Sequence, residues 1–261
     1  MNKHADIIKK HYNDYQEDIR FSKSKGTEVE FITNMHYINK FAKSGVRILE
    51  IGAGTGAYSI ELAKKGFNVT AIELVQSNLD ILNKKAKGIG GLTAIQGDAL
   101  DLSKFDNDYF DIVLCFGPLY HLFNEKDKKQ AINEAIRVCR KNGTLMFAYI
   151  THSSVVWNFG VKKQKIEYLS KFLTTDGRIK DAPKEVFAMH FIEDFVKLFA
   201  DTNTKHIANV ASDGLAYNFR EYIDALNDKQ YKLFVDWHLS TCERPDQQGL
   251  SAHMLYICQK I

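Results

Sequence analysis

The sequence predicts an α/β protein built on a doubly wound, mostly parallel sheet. Two observations carry that prediction. The first is Val46-Arg-Ile-Leu-Glu-Ile51, an apolar, β-branched run interrupted only by Arg47 and Glu50. Gly52, Gly54 and Gly56 follow it at once, and helical spacing over residues 58–65 follows them. Strand, glycine turn and helix are the setting of a nucleotide-binding loop, because glycines let the chain turn sharply and let a ligand reach the main chain. The second is repetition: strand-like and helix-like segments alternate five times between residues 46 and 150.

Residues 2–25 are polar with interspersed aromatics (Tyr12, Tyr15, Phe21) and read as helical. Glu28–Lys43 spaces Val29, Ile32, Met35, Ile38 and Phe41 near 3.6 residues, and Gly45 ends that helix. After the glycine turn, 66–72 is a second strand that closes on Glu73, and 75–87 is the next helix. Leu92–Ile95 is a short third strand leading to Gln96-Gly97-Asp98-Ala99. Ile112–Phe116 is the fourth, broken by Gly117-Pro118-Leu119-Tyr120-His121-Leu122. Asn124 is suited to cap a helix to Arg140, with Glu125 and Asp127 in its first turn. Asn142-Gly143 reads as a turn before a fifth strand, Thr144–Ile150. Beyond it the spacing predicts one long helix over 153–173, a loop over 174–183, a helix over 192–200, a sixth strand over 206–211, a helix over 219–242 and a seventh strand over 252–258.

Composition excludes several classes. Hydrophobic content of 45% and charge of 26% are ordinary for a soluble globular chain. A net charge of +3 is too mild to indicate nucleic acid. No apolar run approaches the ~20 residues of a membrane span, and the N-terminus lacks the apolar core of a secretory signal. Cys115, Cys139, Cys242 and Cys258 lie far apart without a C-x-x-C pair. They read as reduced, buried thiols of a cytoplasmic protein, and no metal is expected.

Glu50-Ile-Gly52-Ala53-Gly54-Thr-Gly56 resembles the first motif of the class I S-adenosylmethionine-dependent methyltransferases, acidic-x-Gly-x-Gly-x-Gly after the first strand. The spacing also fits the dinucleotide fingerprint, with Ala57 in its last position. Glu50 separates the two, since a carboxylate there repels a pyrophosphate and favours a sulfonium and an ammonium. The resemblance implies a seven-stranded sheet with its last strand antiparallel. It also implies an N-terminal helical cap (1–44), a cofactor-binding domain (45–151 and 191–261) and a helical lid inserted after strand five (152–190).

In an open α/β sheet, ligands bind beyond the carboxyl ends of the strands at the switch in strand order. The resemblance assigns Glu73, with Leu74, to the ribose hydroxyls and Asp98, with Ala99, to the adenine. Phe116 and Gly117 go to the methionine end, and Ala53 and Tyr58 join the cofactor set. Tyr12 and Tyr15 resemble a cap over the cofactor in a bacterial small-molecule subset, which also carries a Glu-Phe pair, here Glu30-Phe31. Arg20 is placed to bind the cofactor carboxylate. Tyr120 and His121 lie on the acceptor side. His121 is the candidate general base, because an imidazole titrates near pH 6.5, and Tyr120 either orients the acceptor or faces the sulfonium.

Methyltransferases of exocyclic base amines carry [Asp/Asn/Ser]-Pro-Pro-aromatic after strand four, and Gly117-Pro118-Leu119-Tyr120 lacks both the acceptor side chain and the second proline. A small-molecule acceptor is expected, with no nucleic-acid or membrane partner. Methylation of RNA or protein, a non-catalytic S-adenosylmethionine binder and an NAD-dependent oxidoreductase remain alternatives. The acceptor and the oligomeric state are not legible.

Overall fold

A computed structural model describes residues 7, 8, 10–12, 17–180 and 187–261. Seven strands form a single sheet in the order β3-β2-β1-β4-β5-β7-β6. They are β1 (Arg47–Ile51), β2 (Asn68–Glu73), β3 (Leu92–Gln96), β4 (Phe110–Cys115), β5 (Cys139–Ile150), β6 (Thr204–Ala211) and β7 (His253–Lys260). Strand β7 is antiparallel to both neighbours and the other six are mutually parallel, as expected from the sequence. The chain runs outward from β1 through β2 to β3, then crosses to β4 on the other side of β1. The gap between β1 and β4 is therefore the switch point, and their carboxyl ends face the crevice.

Register aligns those ends. Ile51 pairs with both Ile72 and Cys115, and Glu73 pairs with Gln96. The loops after β1, β2, β3 and β4 consequently leave the sheet along one edge. Both faces of the sheet are covered, which explains why β1 and β4 are near-continuous apolar runs. Helices α1 (Lys25–Phe41), α2 (Ala57–Lys64), α3 (Gln76–Lys85) and α4 (Glu125–Val138) match the periodic segments to within a few residues. Asn124 does cap α4, its side chain accepting from the Asp127 N–H at 2.7 Å. Met35, Tyr37 and Ile38 of α1 share one core with the sheet. All four cysteines are free and buried, and burial pushes the thiols of Cys115, Cys139 and Cys258 up to about 12.

Three expectations need correction. Residues 153–173 are not one helix but a helical turn (His152–Val155), a π-helical turn (Val156–Val161) and a short helix (Ile166–Ser170). The N–H groups of Lys162 and Lys165 reach back five residues, to Trp157 and Gly160, and Gln164 sits at φ 54. A wider turn followed by a left-handed residue cannot propagate an α-helix. Residues 219–242 likewise divide into Arg220–Asp224 and Asp228–Thr241, because Asn227 and Gln230 form a reciprocal capping box that starts a new helix. Finally, Asn142-Gly143 is no turn between separate elements. Residues 139–150 form one strand with Asn142 at φ 61, and the ladder to β4 shifts register between Phe110 and Ile112.

Candidate active site

A cavity partly open to solvent lies at the β1/β4 switch point. The loop after β1 forms its floor. The Gly52 and Ala53 N–H groups both donate to the Ile72 carbonyl at 2.9 Å, which folds the glycine turn against β2. Gly52 lies at φ 79, and a Cβ there would stand 2.7 Å from Pro118 Cδ, so the loops after β1 and β4 meet where only glycine fits. Gly54, at φ 55, donates its N–H to Glu73 Oε2 at 2.7 Å. Glu73 Oε1 accepts from the Val75 N–H at 2.8 Å. The carboxylate thus ties the glycine turn to the start of α3 while it lines the cavity. Burial raises its pKa, and the Val75 and Gly54 N–H groups with the Asn78 side chain oppose that rise.

Asp98 and Ala99 line the same wall, and Asp98 Oδ1 accepts from the Leu100 N–H at 3.0 Å. Gly52, Gly54, Leu74, Phe116, Gly117, Tyr120, His121, Tyr12 and Arg20 also border the cavity, as the sequence placed them. Tyr12 and His121 are 109 residues apart, yet the tyrosine hydroxyl lies 2.9 Å from His121 Nε2, with the rings edge to face at 5.5 Å. Phe187 packs on the other side of His121 at 5.2 Å. The cavity wall therefore offers two carboxylates, a guanidinium and a tyrosine–histidine pair. Such a set can accept from a diol and an amine, meet an anion, and move a proton.

Four expected cofactor residues do not border the cavity. Glu50 is 1% exposed and faces away, bonded to the Ser59 hydroxyl. Burial pushes its carboxyl up to about 8, so it is mostly protonated at neutral pH, and the charge expected to repel a pyrophosphate is absent. Ala53 is buried in the turn. Gly56, at φ 87, begins α2, where a Cβ would stand 2.1 Å from Leu82 Cδ1, so its glycine serves helix packing. Tyr58 stands behind the wall. Its hydroxyl accepts from Asn34 Nδ2 at 3.0 Å, and its ring supports Phe116 at 5.1 Å. Tyr15 lies outside the described residues. Sequence reading missed Ile8, Asn78 and Leu122 on the wall. Asn78 lies one turn into α3 from Glu73, which is the signal that could have found it.

Residues 48–143 match a protein-family profile described as a methyltransferase domain. Over 108 residues the chain is 33% identical to the protein named as methyltransferase YqeM of Bacillus subtilis (strain 168), covering 41% of this chain and 43% of that protein. Over 134 residues it is 31% identical to a ubiquinone biosynthesis O-methyltransferase of Rickettsia canadensis (strain McKiel), covering 51% and 53% respectively. The chain therefore spans about half the length of the curated relatives it matches. Among solved structures, a SAM-dependent methyltransferase from Methanosarcina mazei superposes with a TM-score of 0.57 at 20% identity, covering 86% of this chain and 97% of that one. Phosphoethanolamine N-methyltransferase 1 of Haemonchus contortus, in complex with phosphoethanolamine and S-adenosylhomocysteine, superposes at 0.62 with 14% identity, covering 99% and 49%. Residues 48–143 thus match a methyltransferase domain, and the chain shares its fold with solved S-adenosylmethionine-dependent methyltransferases.

Proposed function

We propose that the chain transfers a methyl group from S-adenosylmethionine to a small-molecule acceptor, leaving S-adenosylhomocysteine. Glu73 is the observation that carries the reading. It is a buried carboxylate on the cavity wall, fixed by the Gly54 and Val75 N–H groups, with acceptor capacity left for a vicinal diol. The residues present fit this cofactor. Glu73 meets the ribose, Asp98 and Ala99 the adenine, Gly52, Phe116 and Gly117 the methionine end, and Arg20 the carboxylate. A dinucleotide fits less well, because the Gly54 N–H that would meet a pyrophosphate is already held by Glu73, and both nearby carboxylates would repel it.

S-adenosylmethionine, when bound, supplies an activated methyl on a sulfonium. What remains for the protein is to position the acceptor and remove its proton. Tyr12 and His121 do the second. With Nε2 engaged by the tyrosine hydroxyl, the Tyr12 oxygen takes the acceptor's proton as its own moves to His121. Phe187 and Tyr120 hold the imidazole from its other sides. Relatives named for ubiquinone, menaquinone and glycine/sarcosine methylation favour a small acceptor over a macromolecule. Residues 1–44 act as the cap, 152–190 as the lid, and 45–151 with 191–261 as the cofactor domain.

Two measurements test this. Calorimetric titration with S-adenosylhomocysteine should show stoichiometric binding, and no heat up to about 1 mM ligand would sink the reading. Transfer of labelled methyl to a panel of amines, phenols, quinols and carboxylates should then mark at least one class.

A further inference from the structure

Behind the cavity wall lies a buried cluster of ionisable side chains of which the proposed chemistry uses only Arg20. Arg20, on the cavity wall, donates from Nη2 to both oxygens of Glu30 at 2.6 and 2.7 Å. Glu30 Oε2 lies 3.5 Å from His253 Nδ1, and that same nitrogen is 2.6 Å from Asp213 Oδ2. Asp213 is itself immobilised. Its Oδ1 accepts from the Ser251 hydroxyl at 2.7 Å and from the N–H groups of Ala252 and His253 at 2.9 and 3.2 Å. Tyr217 packs edge-on to the His253 ring at 5.2 Å. Four ionisable groups thus run from the start of β7 to the cavity, with Glu30, Asp213 and His253 little exposed.

A chain of this kind costs desolvation, and replacing it by apolar residues would stabilise the fold at least as well. Its value lies in geometry. A lone guanidinium on a long side chain samples many rotamers, whereas one gripped through both oxygens of a carboxylate, itself packed beside a fixed imidazole, keeps one orientation. Burial lowers the pKa of His253, but Glu30 and Asp213 together outweigh burial and Arg20 and raise it. Among the described residues on the cavity wall, Arg20 is the one Lys or Arg side chain.

We infer that Asp213, His253 and Glu30 form a clamp that positions Arg20 to receive the carboxylate of the cofactor's amino-acid end. This rests on the S-adenosylmethionine reading above. It makes the three clamp residues positioning residues, acting through Arg20 alone. Strand β7 would then set the wall of a pocket otherwise built from the first half of the chain.

The clamp predicts a selective loss. His253→Gln keeps a hydrogen-bonding side chain but removes the titratable ring. It should weaken S-adenosylhomocysteine binding about tenfold, and 5′-methylthioadenosine, which lacks the carboxylate, by less than about twofold. Arg20→Ala should show the same selectivity, and the double variant should lose little more than either single one. Glu30→Gln, in the same titrations, provides an independent route should His253→Gln not fold. Equal losses for both ligands, no loss for either, or additive losses would each overturn the clamp. If the native protein binds 5′-methylthioadenosine and S-adenosylhomocysteine, the cofactor reading stands whatever the variants do. If it binds neither, that reading itself fails.

Discussion

Two regions meet at the crevice, and burial treats them oppositely. On the β1–β2 side it raises carboxyl groups, Glu50 to about 8 and Glu73 upward. At the carboxyl end of β5 it lowers imidazoles, His152 to about 4 and His190 to about 3. Desolvation is the first cause in all four, and in each it disfavours the charged form. The regions differ in what opposes it. Glu73 is met by two backbone N–H groups, so a carboxylate can persist there. His152 Nδ1 accepts from the Ile179 N–H, and among the described residues His190 Nε2 has no partner. One side is built to present charge to a ligand. The other is built to suppress charge where residues 187–190 rejoin the sheet beside Ile150.

The largest expected effect lies between the two regions. His121→Ala should lower kcat by roughly 10²–10⁴, the usual contribution of a positioned base, while S-adenosylmethionine affinity stays nearly unchanged. Tyr12→Phe should lower kcat comparably, and the double variant should be little worse, because the two act as one unit. Unaltered turnover per folded molecule, with a lower melting temperature, would reduce the pair to a packing contact. Such an outcome is also expected if the acceptor is a thiolate and needs no base.

Next comes Glu73→Ala, which tests the charge-presenting side. It should weaken cofactor binding by about 1–3 kcal/mol, the range for a lost charge-assisted hydrogen bond at a buried site. Calorimetry showing native affinity would remove Glu73 from the site.

The two regions were not equally legible in the sequence. The β1–β2 side is written locally: strand, glycines, helix and a closing carboxylate occupy residues 46–73, and each rule spans a few residues. Even there, Glu50 was misread, because whether a carboxylate is charged depends on how deeply it is buried and the sequence does not show that. The rest of the molecule depends on contacts distant in sequence. The Tyr12–His121 pair spans 109 residues, and nothing in either neighbourhood announces it. The break in 153–173 turns on Gln164 adopting φ 54, a conformation its side chain does not favour and that spacing cannot reveal. Asn227-Asp-Lys-Gln230 is different, since its capping-box pattern was present in the sequence and outweighs the apolar spacing around it.

The opposed shifts also predict opposed flanks of stability against pH. His190 has a folded pKa near 3, below its unfolded value, so its contribution is complete above about pH 6.5 and is lost as pH falls. Desolvation is its main cause, followed by Lys128 and His152, with Asp194 opposing. Native protein should lose on the order of 2 kcal/mol from this group between pH 7 and pH 5. His190→Phe, packing against Phe195, should flatten that acid flank in denaturant titrations. An acid flank as steep in the variant would show that His190 is not its source.

The smallest effect is on the alkaline flank. Glu50 has a folded pKa of about 8, above its unfolded value, so its contribution is complete below about pH 4.5 and disappears as pH rises through 8. Most of that loss has already begun by neutrality, so the further change between pH 7 and 8 is only about 1 kcal/mol. Glu50→Gln keeps a carbonyl oxygen to accept from the Ser59 hydroxyl and has no proton to lose in this range. The variant should therefore match native protein below about pH 4.5, exceed it increasingly up to about pH 8, and gain stability more steeply than native protein between pH 5 and pH 7. It should also bind S-adenosylhomocysteine as well as native protein at neutral pH, since a mostly protonated, inward-facing Glu50 contributes no charge to the cavity. A variant that loses affinity instead would mean that Glu50 ionises when ligand is present, and that the acidic position ahead of the glycines acts through its charge after all.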